Sequence, residues 1–334
     1  MSDIAVVWVA LGTPETPTAP AVRRYLREFL SDRRIVEMNP IAWRMILELF
    51  ILPVRPRRSA KKYASVWYDS GSPLLVHTDE QASALSAALS ADGIDVEVRW
   101  AMRYGQPSVA SVLDQLREKG VRKVLVAPAY AQYSQTTVGS VYDAVAKYML
   151  ASRDQLELRF LRSFPSHPMY IEALAQSIEA TWEVEGRPDF GAGDKLLLSF
   201  HGIPVSMAEA GDPYPQECKA TATALRARLN LDENACQMTF QSKFGPAPWL
   251  KPATIDTVGE LGRNGVGRLD VVCPAFVADC LETLEEIGIL NREAYMDACG
   301  HHGKFVRIPC VNASPAFIDA LSDQVRRGLA GWID

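Results

Sequence analysis

A histidine and a line of carboxylates, each at the mouth of an apolar run, are the residues of this chain best placed to do chemistry. His201 closes the run LLLSFHGIP (Leu196–Pro204), where a Gly and a Pro then break the chain. A buried parallel strand has this pattern, and its last residue projects into the crevice where open α/β sheets bind ligands. CPAFVADCLETLEEI (Cys273–Ile287) is a second apolar strand end, leading into a helix start. Asp279, Glu282 and Glu286 stand at i, i+3 and i+7, which an α-helix places on one face. An imidazole, with an ordinary pKa of about 6.5, passes protons or binds metal near neutrality. Oxygen ligands with a neutral imidazole suit a labile divalent metal that is handed on, whereas thiolates would hold it tightly. The plainer alternatives are a histidine satisfied by backbone and acids that favour a helix N-terminus by about 0.3–1 kcal/mol each. Four acids (Asp279, Glu282, Glu285 and Glu286) exceed what capping needs.

The elements that would position these groups alternate along the chain. Strand-like runs fall near residues 4–11, 96–102, 124–128 and 156–161, then near 195–200, 237–241, 269–273 and 305–310. Helical patterns such as 107–119 and 314–332 lie between or after them. This alternation predicts parallel sheets with crossover helices. The halves also echo each other. Tyr104-Gly105 lines up with Phe244-Gly245, Gly120-Val121 with Gly265-Val266, and Pro128 with Pro274. The expected fold is therefore α/β: two Rossmann-like lobes related by duplication, with an active cleft between them. Residues 1–155 form the first lobe, joined again by a C-terminal helix at 314–334, and residues 156–313 form the second. The aromatic residues Tyr104, Tyr130, Tyr133, Phe244, Trp249 and Phe276 gather at expected strand ends. They read either as core or as the lining of a pocket for a large flat apolar ligand.

Bulk properties narrow the classes. The chain has 334 residues, 48% hydrophobic and 22% charged, with a formal net charge of −5. These are the proportions of an ordinary globular protein, and no basic face for nucleic acid is evident. The N-terminus has neither the charged n-region nor the long apolar core of a signal peptide, so a cytoplasmic location is expected. The apolar stretch Ile41–Val54 carries Arg44, Glu48 and Pro53, too short and too charged to span a bilayer. Arg55, Arg57, Arg58, Lys61 and Lys62 follow it. Residues 41–62 thus suit peripheral contact with an anionic membrane surface at the inner face of the cell membrane, through Trp43, Leu47, Phe50 and Ile51. The competing reading is a helix packed on the core with a solvated basic end. Six scattered cysteines form no C-x-x-C pair and read as reduced thiols. Dinucleotide, P-loop, nucleophile-elbow and H-E-x-x-H motifs are absent.

Four blocks, LLLSFHGIP, GDPYPQEC (Gly211–Cys218), TFQSKFGPAPWL (Thr239–Leu250) and CPAFVADCLETLEEI, closely resemble the signature blocks of the ferrochelatase family, bacterial type. Earlier segments agree: LGTPETP (Leu11–Pro17), FLSDRR (Phe29–Arg34) and YASVWYDSGSPL (Tyr63–Leu74). Ferrochelatases insert Fe²⁺ into protoporphyrin IX, releasing two protons, as the last step of heme synthesis. The resemblance implies a pair of Rossmann-like lobes around the porphyrin. It implies His201 and Glu282 as the catalytic and metal-handling pair, with Asp279 and Glu286 relaying protons or metal. It further implies Leu11, Arg57, Ser72, Arg103, Tyr104 and Trp249 as porphyrin contacts. Ala10 and Ala131 depart from the family's usual Asn and Pro. No resident cofactor is expected, Fe²⁺ being substrate. A [2Fe–2S] cluster is not expected either, because the Cys₄ ligation it needs is not evident. The alternatives are a chelatase for sirohydrochlorin and a tetrapyrrole carrier without catalysis.

Overall fold

The computed structural model describes residues 2–333 and divides into two compact units. One takes the chain up to Arg162 and again from Leu321; the other is Ser163–Ala320. In the first unit the strands are β1 (Ile4–Gly12), β2 (Glu97–Tyr104), β3 (Lys123–Pro128) and β4 (Glu157–Phe160). In the second they are β5 (Lys195–His201), β6 (Cys236–Gln241), β7 (Arg268–Val272) and β8 (Lys304–Arg307). All pairings are parallel, in the order β2-β1-β3-β4 and β6-β5-β7-β8. The same strand order in both units is the structural counterpart of the internal echo in the sequence, and the α/β chelatase-like architecture is as expected.

Each sheet is held by apolar residues packed against its flanking helices. In the first unit Val7, Val9 and Val126 pack against Leu113 and Leu116 of helix Val109–Glu118 and against Val141 and Val145 of helix Ser140–Ala151. In the second, Leu197, Leu269 and Val271 pack with Val258, Ile287 and Tyr295. Fully burying such a side chain is worth about 1.5–3 kcal/mol, so a strand buried on both faces has little room for polar residues. Those that enter are paired. Trp8 Nε1 donates to Gln81 Oε1 at 2.9 Å. Trp182 Nε1 donates at 2.7 Å to Asp270, whose carboxylate also receives Arg268.

The segment after Asn39 is helical to Ile46 and then widens into a π-helical turn, Leu47–Ile51. This rotates its face. Leu47 is buried, and half-buried Trp43 is tied back by its Nε1, which donates to the Leu30 carbonyl at 2.6 Å. The outward residues are Ile41, Met45, Leu49 and Phe50, between 56% and 75% exposed. Among the described residues no helix is long and apolar enough to cross a membrane.

β1 ends in a turn that only glycine can make. Gly12 has φ +116°, and a Cβ there would lie 1.8 Å from the Tyr104 carbonyl oxygen of the neighbouring strand. Gly12→Ala is expected to cost about 3 kcal/mol or more, read as a lowered urea midpoint, because both backbone strain and collision oppose it.

Candidate functional site

β5 is buried through Phe200, and His201 is its first partly exposed residue. The backbone turns there: Gly202 N–H donates to the Gln241 carbonyl at 2.8 Å, and a Cβ on Gly202 would meet that oxygen at 3.0 Å and the Trp249 ring at 3.1 Å. His201 Nδ1 lies 2.6 Å from the Gly202 carbonyl. A carbonyl only accepts, so Nδ1 carries the hydrogen and Nε2 keeps its lone pair for a proton or a metal. Phe276 stands 6.3 Å from the imidazole between ring centroids, and Trp249 covers the adjoining turn.

The acids approach from the segment after β7. Glu282–Asn291 is wound as a π-helix, a geometry found mostly at functional sites. Asp279 lies ahead of its first residue, so the shared α-helical face expected for Asp279, Glu282 and Glu286 does not form. Asp279 is instead an anchor. Its Oδ1 accepts from Arg307 Nη1 (2.9 Å) and Thr283 Oγ1 (2.8 Å), and its Oδ2 accepts from Asn312 Nδ2 (2.9 Å). Its own N–H donates back to Asn312 Oδ1 at 2.8 Å. Both carboxylate oxygens are thus engaged in fastening the start of the helix.

Glu286 stands near His201, and Glu282 stands near Glu286. Burial pushes the Cys280 thiol well above its ordinary pKa, and the neighbouring Glu282 adds to this. Glu286 accepts from Ser242 N–H at 2.7 Å and Ser242 Oγ at 2.5 Å. Burial pushes the Glu286 carboxyl above its ordinary pKa, and the charge of Glu282 adds to this; the Ser242 bonds and the field of His201 oppose it. Glu286 is therefore a carboxyl with raised proton affinity that senses both His201 and Glu282. Among the described residues no group of three or more His, Cys, Asp and Glu side chains is arranged to hold a metal ion.

The first unit carries the other residues implied by the resemblance. Leu11 is half-buried at the end of β1, and Arg57 is exposed in helix Arg55–Val66. Ser72 is buried, and its Oγ caps helix Pro73–Ala91 by accepting from Leu75 N–H at 3.2 Å. Arg103 and Tyr104 converge on Asp32: Arg103 Nη2 donates to Asp32 Oδ2 at 2.5 Å and Tyr104 Oη at 2.7 Å. Ser140 Oγ joins them at 2.6 Å. Tyr104 is 1% exposed, so in this conformation it fixes the strand end from below and presents no face to a ligand. Burial raises the Asp32 carboxyl, but bonds from Ser140, Arg34 N–H and Tyr104, with the Arg103 charge, hold it below its ordinary value of 3.8.

Asp32, Ser140, Gln241 and Ser242 were not singled out from sequence, although all lie in quoted or neighbouring blocks. For Gln241 and Ser242 a signal existed: Gln241 closes the expected strand 237–241 and Ser242 follows it. Asp32 and Ser140 are joined over 108 residues and gave no local sign.

The match to known proteins is extensive. A family model described as Ferrochelatase matches residues 3–329. Among solved structures, SirB from Bacillus subtilis with Fe³⁺ aligns with a TM-score of 0.54 at 12% identity, over 98% of this chain and 96% of that one. The sirohydrochlorin chelatase SirB from Bacillus subtilis subspecies spizizenii, in complex with cobalt, aligns at 0.53 and 8% identity, over 97% and 94%. DR2241 from Deinococcus radiodurans, a multi-domain protein with structural similarity to chelatases, aligns at 0.57 and 13% identity, over 100% of this chain and 58% of its own. At such identities these three share the fold.

The Asp32 network predicts an acid limb of stability. Its folded pKa lies below the unfolded one, so its contribution is full above about pH 4 and is lost as pH falls through the folded value. Asp32→Asn should lower stability at pH 7 by about 2–3 kcal/mol. The variant should also lose less than the parent between pH 5 and pH 3, as urea titrations at each pH will show.

Proposed function

The chain belongs to the ferrochelatase family, and from that premise we propose that this tetrapyrrole metal chelatase inserts Fe²⁺ into protoporphyrin IX to form protoheme. The observation that carries the proposal is the convergence of a His201 Nε2 lone pair with Glu282 and Glu286 at one strand mouth, beside Phe276 and Trp249. Two pyrrole protons must leave as the metal enters. His201 and Glu282 together accept protons and guide the metal, and Glu286, with its raised proton affinity, takes a proton onward. A planar macrocycle hides its nitrogen lone pairs from an incoming ion. A site that favours a bent ring therefore accelerates insertion by binding the transition state better than the substrate. The aromatic faces suit a flat, largely apolar ring, and Arg307 on this side is already committed to Asp279. A sirohydrochlorin substrate, with its many carboxylates, would call for a more basic site, and the FHGIP and LETLEEI blocks make it the second choice.

Anaerobic insertion of Fe²⁺ into protoporphyrin IX, followed by absorbance, tests the reading. The parent should turn over, and His201→Ala and Glu282→Gln should each lose about 100-fold or more in kcat while still binding porphyrin. Tight binding without turnover by the parent would make it a carrier.

A peripheral membrane contact is also proposed, carried by the exposed stripe Ile41, Met45, Leu49 and Phe50 next to the cations that begin at Arg55. Each basic residue near an anionic surface adds about 1 kcal/mol. Binding to phosphatidylserine-containing vesicles should fall with added salt and drop about fivefold or more in Phe50→Asp. No binding at low salt would contradict it.

A further inference from the structure

Gln241 is 3% exposed, ends β6, and stands directly beside His201 in the β5–β6 register. Three of its groups are engaged, each with a different element of the candidate site. Its carbonyl accepts from Gly202 N–H at 2.8 Å and so closes the turn that aims the imidazole. Its side-chain Oε1 accepts from Ser199 Oγ at 2.8 Å and from the Cys273 thiol at 3.5 Å. Its Nε2 donates to the backbone carbonyl of Glu282 at 3.1 Å, at the first residue of the π-helix.

The orientation of this amide is not arbitrary. The Glu282 carbonyl can only accept, so the end that faces it must be the NH₂, and the oxygen is left to the Ser199 hydroxyl and the Cys273 thiol. Ser199 is itself fixed, with the Thr254 hydroxyl 2.8 Å away and Thr239 2.9 Å beyond. An ordinary buried polar network would satisfy its members without linking functional residues. This one runs from the His201 turn to the backbone of Glu282 through a single residue, whose main-chain carbonyl holds the turn and whose side-chain amide holds Glu282.

We infer that Gln241 is a positioning residue for metal insertion: its amide sets the place of Glu282 relative to His201. The inference rests on the proposed chelatase function and deepens it. Gln241 touches neither ring nor metal, and it acts through the Glu282 backbone. Losing the amide frees the first turn of the π-helix. The expected result is a loss of turnover with little loss of porphyrin binding, because a misplacement of about 1 Å costs up to 100-fold in rate.

The test is a double-mutant cycle on iron insertion into protoporphyrin IX. Gln241→Met keeps the volume and removes both hydrogen-bonding ends. It should lower kcat about tenfold or more, with KM for the porphyrin within about twofold of the parent. In the Glu282→Gln background the same change should cost about twofold or less, since the group it positions is gone. Should Gln241→Met fail to fold, Gln241→Asn keeps the amide, draws it back by one methylene, and should show the same split. An equal loss of kcat in both backgrounds would overturn the inference and make the network merely structural. An unchanged kcat in a folded variant would overturn it too. A parent that does not metalate protoporphyrin overturns the function on which the inference stands, a result separable from either of these.

Discussion

The position of the site follows from the burial of parallel strands on both faces. β5 is flanked by β6 and β7 and covered by helices, and every residue from Lys195 to Phe200 is buried. A side chain that must meet solvent, metal or protons cannot stand within such a strand without a large desolvation cost. His201 is the first position where that cost falls away, and the Gly-Ile-Pro that follows turns the chain aside. β1 repeats the arrangement: it is buried to Ala10, Leu11 emerges, and Gly12 makes the turn. In each unit the fold thus offers chemistry its place at a strand's carboxyl end.

Around these ends the polar groups are held before any ligand arrives. Asp32 gathers Arg103, Tyr104 and Ser140 around one oxygen, while Asp279 fastens the start of the π-helix to Arg307 and Asn312. Ser242 holds Glu286 from a left-handed backbone, φ +66°, which a non-glycine residue adopts only when its surroundings enforce it. Fixed partners of this kind reduce the reorganisation needed during reaction, which is how a preorganised site lowers a barrier. Burial raises the proton affinity of the Glu286 carboxyl against the opposing pull of Ser242 and His201.

The architecture was largely legible in the sequence because buried parallel strands are written as unbroken apolar runs. The expected strands agree with the observed ones to within a few residues; 195–200 became Lys195–His201 and 237–241 became Cys236–Gln241. His201 was legible for the same reason. The geometry of the acids was not, since a π-helix and an α-helix share the same residue preferences at this length. The face shared by Asp279, Glu282 and Glu286 was therefore an α-helical expectation that the winding of Glu282–Asn291 overturned. The same widening at Leu47–Ile51 turned Leu47 to the core and left Leu49 and Phe50 outside. Ser72, Arg103 and Tyr104 carry a different lesson: a motif shows which residues matter, while burial and hydrogen bonds show that they hold strand and helix ends in place.

The central claim is that the macrocycle handled here is a flat, apolar porphyrin rather than a ring fringed with many carboxylates. A direct comparison of kcat/KM for ferrous insertion into protoporphyrin IX and into sirohydrochlorin, under identical anaerobic conditions, tests it most directly. A preference for protoporphyrin of about 100-fold or more is the predicted result, as expected of a site that presents aromatic faces to the ring. Equal rates, or a preference for sirohydrochlorin, would contradict the account.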